Sequence, residues 1–445
     1  MNQGQKVVTR FAPSPTGAAH AGSYRSAIFA WLYARHTGGK FILRIEDTDT
    51  ARNQEGSADQ IIESLTWLGI DYDELYYQSK QVDRHTEIIQ ELITKDAAYI
   101  SNEEAKDGSG MKEIVRFRNP GKAVTVHDLI RGDVTIDTSD LGDFVIARTP
   151  TEPIFHLANV IDDHDEGVTH VIRAEEHLAN TPRQILIFEA LGWDIPTYAH
   201  LPLVLGPDKL KLSKRRGALA MLEYRNKGYL PDALFNCITF VGWNPGTDQE
   251  IFSKEELIAL FDLNRVQKAG ALFSEEKLDW FNKEYLKKLP FNEQKKGIME
   301  FMPEFIVNMH GFADMIDMLV PLILERIEKF GDVATMAEAG EFTFFFERPA
   351  ITAEKLIFKG ATKEETKEHL EKARHLLEGI VEWELEHIKN LLMGYADTLP
   401  KRGPVLHPLR YSLSGLERSP DPFTIAAIIG KEETLARIKT ALETL

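Results

Sequence analysis

The sequence contains a single cysteine, Cys237, among 445 residues. Neither a disulfide framework nor a cysteine-based zinc site can be built from it, and a reducing, cytoplasmic setting is the expectation. Long apolar runs are missing too. None approaches the roughly 18 residues of a membrane-spanning helix, and the opening MNQGQKVVTR lacks the apolar core of a signal peptide, so no membrane association is expected. Positive charge is scarce: 52 Lys and Arg face 69 Asp and Glu, a formal net charge of −17. That argues against a protein that coats nucleic acid, because phosphate neutralisation needs cations. It leaves room for a nucleic acid held by local basic patches. Internal repeats and low-complexity tracts are also absent.

What is present is a chain long enough for roughly two to four domains. Its first hundred residues alternate in an α/β manner. KVVTRF is a short β-branched run that stops at Pro13, and YRSAIFAWLYARHTG places Ile28, Trp31 and Leu32 at helical spacing before Gly38 and Gly39. KFILRIED reads as a strand buried on both faces. SADQIIESLTWLGI follows as an amphipathic helix with Ser57 as its N-cap. Strand, helix, strand, helix at this spacing predicts a doubly wound parallel sheet.

Residues 101–148 break the rhythm: SNEEAKDGSGMKE reads as a polar loop, and IVRFRNPGKAVTVHDLIRGDVTIDT as short antiparallel strands, an insertion within the sheet domain. The α/β pattern returns with FHLANVIDDH, THVIRAEEH, TPRQILIFEALGW and HLPLVLGPD. Beyond Gly217 the pattern is helical with no clear strand, and an all-α region is expected from about residue 300. Within it, residues 399–423 read as a Pro/Gly-rich loop carrying Lys401, Arg402, Arg410 and Arg418. The resulting segments are 1–95, the insertion 96–148, 149–217, a helical stretch 218–299, and 300–445.

Three groups carry chemistry. In RFAPSPTGAAHAGSYRSAIF, a tight turn of small residues leaves a strand and feeds a helix N-terminus, where α/β sheets bind nucleotides. Gly22 lets backbone approach a purine or phosphate closely, and His20 can donate to a phosphate oxygen; the alternative is a structural turn with a solvated histidine. KLKLSKRRG sets four Lys and Arg within six positions from Lys211, with Lys211 and Lys214 placed to face one polyphosphate, although basic runs are often merely solvated. RIEDTD and VIRAEEH stand at predicted strand ends. Glu46, Asp47 and Asp49 can hold an ammonium or ribose hydroxyls, and Arg173, with Arg10, can hold a carboxylate bidentately. Such a pocket suits a zwitterion with an extra acidic group. DDHDE (162–166) has the look of a metal cluster but offers only one histidine, so no dedicated metal site is expected; Mg²⁺ arriving on a nucleotide is the better fit.

Taken together, these motifs resemble the glutamyl branch of the class I aminoacyl-tRNA synthetases. FAPSPTGAAHAG is similar to the HIGH-type motif and KLSKR to the KMSKS-type motif; RIEDTD, HLANVIDDH, THVIRAEEH, HPLRYSLSG and GKEETLARI extend the likeness to the last helix. The resemblance implies a Rossmann-like catalytic domain in 1–95 and 149–217, and an acceptor-stem-binding insertion. It further implies a stem-contact region in 218–299 and a helical anticodon-binding domain in 300–445. It implies ATP bound by His20, Gly22, Lys211 and Lys214, with His20 and the two lysines catalytic, and glutamate bound by Arg10, Ser14, Glu46, Asn159 and Arg173. Asp49 and Arg326, the latter in LERIEKF, would meet tRNA. The implied activity is ATP- and Mg²⁺-dependent activation of glutamate and its transfer to the terminal ribose of tRNA-Glu, with tRNA-Gln a further candidate, by a monomer without protein-bound zinc. Four positions depart from the family pattern: Ser23 for the second histidine of the motif, Phe155 for a tyrosine, Thr50 for a basic residue, and a shortened insertion without cysteines. A tRNA-modifying relative lacking the anticodon domain, and a tRNA-binding scaffold without activity, are the competing readings; the helical third of the chain and the intact lysines weigh against them.

Overall fold

The computed structural model describes residues 6–17, 21–104, 110–212 and 219–445, and the chain forms two compact units, residues 1–285 and 286–445. The first unit begins with β1 (Val8–Phe11), β2 (Lys40–Ile45) and β3 (Glu74–Tyr77). It continues with β4 (Ala98–Glu104), β5 (Met111–Phe117), β6 (Ala123–Asp128), β7 (Gly132–Asp137), β8 (Phe144–Thr149) and β9 (Glu152–Pro153). The last strands are β10 (His170–Ala174), β11 (Thr197–Leu201), β12 (Val204–Leu205) and β13 (Ala271–Leu272). Interleaved helices include α1 (Ala21–His36), α2 (Ser57–Trp67), α3 (Val82–Thr94), α4 (Phe155–Asp165) and α5 (Thr181–Leu191).

A seven-stranded sheet runs β3-β2-β1-β10-β11-β6-β7, parallel from β3 to β6. Parallel neighbours require crossover connections, which α1 supplies between β1 and β2 and α5 between β10 and β11. Ala27, Ile28, Phe29, Ala30, Leu32 and Ala34 of α1 are fully buried, so the helix is apolar on more than one side and sits inside the layer. At the connection to β2, a Cβ on Gly39 would lie 2.3 Å from the Val7 carbonyl oxygen. Only glycine lets the chain return this closely to pair with β1. From β1 the strand order proceeds to β2 on one side and to β10 on the other, which makes the β1/β10 boundary a topological switch point. The doubly wound α/β sheet with a helical C-terminal region is thus found as expected.

Several local expectations are corrected. SNEE, read as loop, belongs to β4, paired in register with β5; alternating burial along it shows a half-exposed strand that its polar residues concealed. The antiparallel strands do not stay together: β4, β5, β8 and β9 form a separate four-stranded sheet, while β6 and β7 extend the main one. Ser57 is not an N-cap. Gly56, in the left-handed region at φ 74°, precedes the helix, and Ser57 is buried within its first turn. A strand does follow Gly217: β13 pairs with β12, too short to leave any periodic signal.

The second unit is helical. Residues expected as a loop, 399–423, contain the helix Gly403–Ser414, with Pro404 in its first turn, where proline's missing N–H does no harm, and Pro408 inside. The helix is held because its apolar face is buried, with Val405, Leu409 and Leu413 each at 0–1% exposure. Helix Lys363–Glu378 packs on it and on Lys431–Thr444, and starts with a capping box in which Thr362 and Glu365 each satisfy the other's backbone N–H. Residue 300 lies within the helix Phe291–Phe301, and the compact unit begins at Leu286.

Candidate active site

The carboxyl ends of β1 and β10 meet at the switch point, where an open α/β sheet leaves a crevice for ligands. Before it, the PSPTG turn is pinned by backbone bonds from Glu46 N to Pro13 O (3.0 Å) and from Gln54 N to Pro15 O (2.9 Å). Gly17 turns the chain at φ 111°. Ser14 is exposed at the rim.

Arg10 is 4% exposed. Its Nε donates to Asp163 Oδ1 at 3.0 Å, and its Nη2 reaches Asp163 Oδ2 and Asn159 Oδ1, both at 3.5 Å. Arg44, fully buried on β2, donates to Asp163 (2.8 Å) and Glu166 (2.6 Å), with Glu46 at 3.5 Å and Asp162 at 3.8 Å. Burial pushes the Asp163 carboxyl up, but the flanking guanidiniums of Arg10 and Arg44 win and hold it below the usual carboxylate range. Glu46 goes the other way: burial raises its pKa against Arg44 and Arg10. Its Oε1 accepts from Asn159 Nδ2 at 2.6 Å. Burial lifts Glu166 to about 7 despite Arg44. This side of the crevice therefore holds more buried carboxylate than its two arginines neutralise, and has capacity for a further cation.

Arg173 is different. Its Nε donates to His200 Nε2 (3.2 Å), and its Nη2 to Thr181 Oγ1 (2.8 Å) and Gln184 Oε1 (2.7 Å). All three acceptors are neutral. Among the described residues no carboxylate bonds to this guanidinium, and its Nη1 has no hydrogen-bond partner. Burial lowers its pKa to about 10, with Arg10 adding to the shift and the more distant Asp163 and Glu46 opposing it. The bidentate fork expected from sequence is thus engaged by the protein, and Nη1 is the edge that remains for an anion. Gln184 joins the two halves of the crevice, donating to Asn159 Oδ1 at 3.4 Å while accepting from Arg173. Phe155, in place of the family's tyrosine, packs its ring 5.5 Å from that of His177; burial holds His177 and His156 down at about 4.

Beside the crevice, a solvent-open cleft is lined by Gly22, Ser23, Arg25, Glu176, Pro202 and Lys211. Gly22 lies in the first turn of α1. Lys211 pairs with Glu176 across this cleft and is half exposed. Lys209 adopts a left-handed conformation at φ 59° in the turn leading to Lys211, a strained position for a lysine. His20 and Lys214 lie outside the described residues.

The structure therefore brings Arg10, Glu46, Asn159 and Arg173 into one hydrogen-bonded network, and Gly22 and Lys211 into the adjacent cleft. Asp47 accepts from both N and Oγ of Ser79. Asp49 pairs with Arg52 (2.7 Å) and Arg148 (3.6 Å). In the second unit, Arg326 ends the helix Phe312–Arg326 and pairs with Glu341. The acids of DDHDE are consumed by protein partners: Asp162 by His85 and Gln78, Asp163 by Arg10 and Arg44, Asp165 by Arg84, Glu166 by Arg44. Among the described residues no group of three or more His, Cys, Asp or Glu is arranged to hold a metal ion. Sequence reading missed Arg44, Asp128, Thr181, Gln184 and His200. Two of them left a trace, Arg44 inside the apolar run KFILRI and His200 inside TYAHLPL.

Comparison with known proteins gives concordant matches. A family model described as tRNA synthetases class I (E and Q), catalytic domain, matches residues 6–107 and 100–280, and one described as an anticodon binding domain matches 266–442. A glutamate–tRNA ligase of Lawsonia intracellularis is 38% identical, covering 98% of each chain. A glutamate–tRNA ligase of Coxiella burnetii is likewise 38% identical over 98% of each chain. A crystal structure of a glutamate tRNA ligase from Elizabethkingia meningosepticum, in complex with its amino acid, superposes with a TM-score of 0.88 at 33% identity, covering 99% of this chain and 100% of that one.

Proposed function

The chain belongs to the class I tRNA synthetases of the glutamate and glutamine group, and from that premise we propose how its residues divide the work. It is an enzyme that joins glutamate to tRNA. The observation that carries the residue assignments is the contrast between the two sides of the crevice: Arg173, a buried cation on neutral acceptors, and Glu46, a buried carboxylate short of counter-charge. A zwitterion with a second carboxylate completes both. Arg173 takes the side-chain carboxylate through Nη1, assisted by Arg10. Glu46 and Asn159 take the ammonium, and Ser14 closes the rim. A neutral side chain of the same shape would leave the Arg173 charge unpaired, which is the basis of selection against glutamine.

ATP occupies the cleft at Gly22 and Lys211, with Mg²⁺ carried on its phosphates rather than by a dedicated protein site. An oxygen of the glutamate α-carboxylate attacks the α-phosphorus in line; the bond to the bridging oxygen breaks and pyrophosphate departs with the electron pair. Negative charge grows on phosphate oxygens, so the protein contributes positioning and cations rather than a nucleophile. Lys211 must leave Glu176 to reach the phosphates, joined in this role by His20 and Lys214. The 2′-hydroxyl of the tRNA terminal ribose then attacks the carbonyl carbon of the anhydride, losing its proton, and AMP leaves. Residues 300–445 hold the anticodon arm, with Arg326 contributing there and Asp49 nearer the acceptor end. tRNA-Glu is the expected acceptor, and the protein works as a monomer in the cytoplasm.

The test is ATP–pyrophosphate exchange and charging with purified tRNA-Glu and tRNA-Gln. Exchange dependent on glutamate and tRNA is expected. No exchange with either tRNA, nor with several bacterial tRNA-Glu species, would overturn the assignment.

A further inference from the structure

Arg173 is held by a chain of side chains reaching back into the segment between β5 and β8. Asp128 closes β6. Its Oδ1 accepts the backbone N–H groups of Ile130 (2.9 Å) and Arg131 (2.7 Å), and its Oδ2 accepts both the backbone N–H and Nδ1 of His200, at 2.9 and 2.6 Å. The two side chains are entirely buried. On the far side of the ring, His200 Nε2 faces Arg173 Nε at 3.2 Å and Thr181 Oγ1 at 3.0 Å.

The donor inventory leaves one arrangement. An arginine Nε can only donate, so His200 Nε2 must present its lone pair. Nδ1 must then carry the proton and donate it to Asp128, whose carboxyl four donors keep below the usual range although burial alone would raise it. Burial likewise keeps His200 below its ordinary pKa, against the pull of Asp128. The opposite tautomer would point N–H at N–H. With Nε fixed by His200, and both protons of Nη2 fixed by Thr181 and Gln184, the guanidinium plane has no rotational freedom and Nη1 has one direction in which to point.

We propose that Asp128 and His200 are positioning residues for substrate selection: Asp128 sets the His200 tautomer, and His200 aims Arg173 at the amino-acid carboxylate. The inference rests on the reading of Arg173 as a substrate ligand. Both side chains are buried behind Arg173, and neither lines the cleft assigned to ATP.

Two substitutions at one position separate aiming from mere packing. His200→Gln keeps an acceptor oxygen near the place of Nε2, whereas His200→Asn keeps a group near Nδ1 for Asp128 and loses the acceptor for Arg173. In tRNA-dependent ATP–pyrophosphate exchange, H200N should raise KM for glutamate about tenfold or more, with kcat and KM for ATP within about threefold, and H200Q should stay within about threefold throughout. Equal effects of the two, or an effect of H200N on kcat alone, overturn the proposal. Should H200N fail to fold, Asp128→Asn carries the test: it should raise KM for glutamate, and D128N/H200Q should restore it, whereas no rise, or no restoration, overturns the proposal. Arg173→Gln is the control on the underlying reading. Normal KM for glutamate in R173Q refutes Arg173 as a ligand and the proposal with it. A large rise in R173Q with identical H200N and H200Q refutes only the positioning role.

Discussion

Glu46→Gln is the perturbation that most directly tests how the crevice handles a zwitterion. Glu46 is 7% exposed, accepts from Asn159 at 2.6 Å and stands 3.5 Å from Arg44. Burial lifts its pKa even with Arg44 and Arg10 nearby, so its carboxylate gains from one more cation, which the glutamate ammonium supplies. Glutamine preserves the volume and an oxygen for Asn159 but removes the charge, and Arg44 keeps Asp163 and Glu166. One charge-assisted hydrogen bond is worth about 1.5–3 kcal/mol. KM for glutamate in tRNA-dependent ATP–pyrophosphate exchange should therefore rise about 10- to 150-fold, with kcat and KM for ATP within about threefold. The sign with pH follows from the raised pKa. As pH falls through it, the carboxylate is lost and wild-type KM for glutamate climbs; in E46Q that limb is absent. Stability moves the opposite way. The folded protein binds this proton more tightly than the unfolded chain does, so ionised Glu46 opposes folding above its folded pKa, and the thermal midpoint of E46Q should hold or rise. A KM for glutamate within threefold of wild type, or one that still climbs along the same acid limb, would refute the assignment.

Arg44→Met should destabilise the first unit by about 3–5 kcal/mol, because it strands buried carboxylates whose partner is gone; a denaturant titration showing less than about 1 kcal/mol would contradict the network described. His156 is held at about 4, chiefly by burial, against about 6.5 in the unfolded chain. The unfolded chain therefore protonates first, and stability present above about pH 6.5 should be lost as pH falls toward 4, with His156→Gln flattening the slope of thermal midpoint against pH. A wild-type midpoint that is flat across this range would show that the His156 ring is not held neutral.

Much of the framework is legible in the sequence. Near-continuous apolarity in KFILRI marked a strand covered on both faces, and its five residues after Lys40 are buried. Arg10, Glu46 and Arg173, which the structure joins in one network, stand out in the sequence as charged residues at predicted strand ends, although each taken singly reads as a surface ion pair. SNEE in β4, the two-residue β13 and the helix Gly403–Ser414 were not legible. Each depends on partners distant in the chain rather than on its own periodicity: β4 on pairing with β5, β13 on β12, and the proline-bearing helix on the apolar neighbours that bury its face.

The sequence alone determined the alternation of strands and helices, the switch from α/β to all-α text, and the identity of the charges available to the site, because these follow from local pattern and composition. Tertiary structure decided which charges cancel. In sequence DDHDE is an acidic run with one histidine; only the structure shows which partners, Arg10, Arg44, Arg84 and His85, meet its acids from other elements. Arg10 and Arg173 read alike until one is found on a carboxylate and the other on neutral acceptors only. Whether a buried ion is satisfied is a property of its neighbours in space, up to 153 residues away in the chain for Arg10 and Asp163. The switch point between β1 and β10 is what brings those neighbours together.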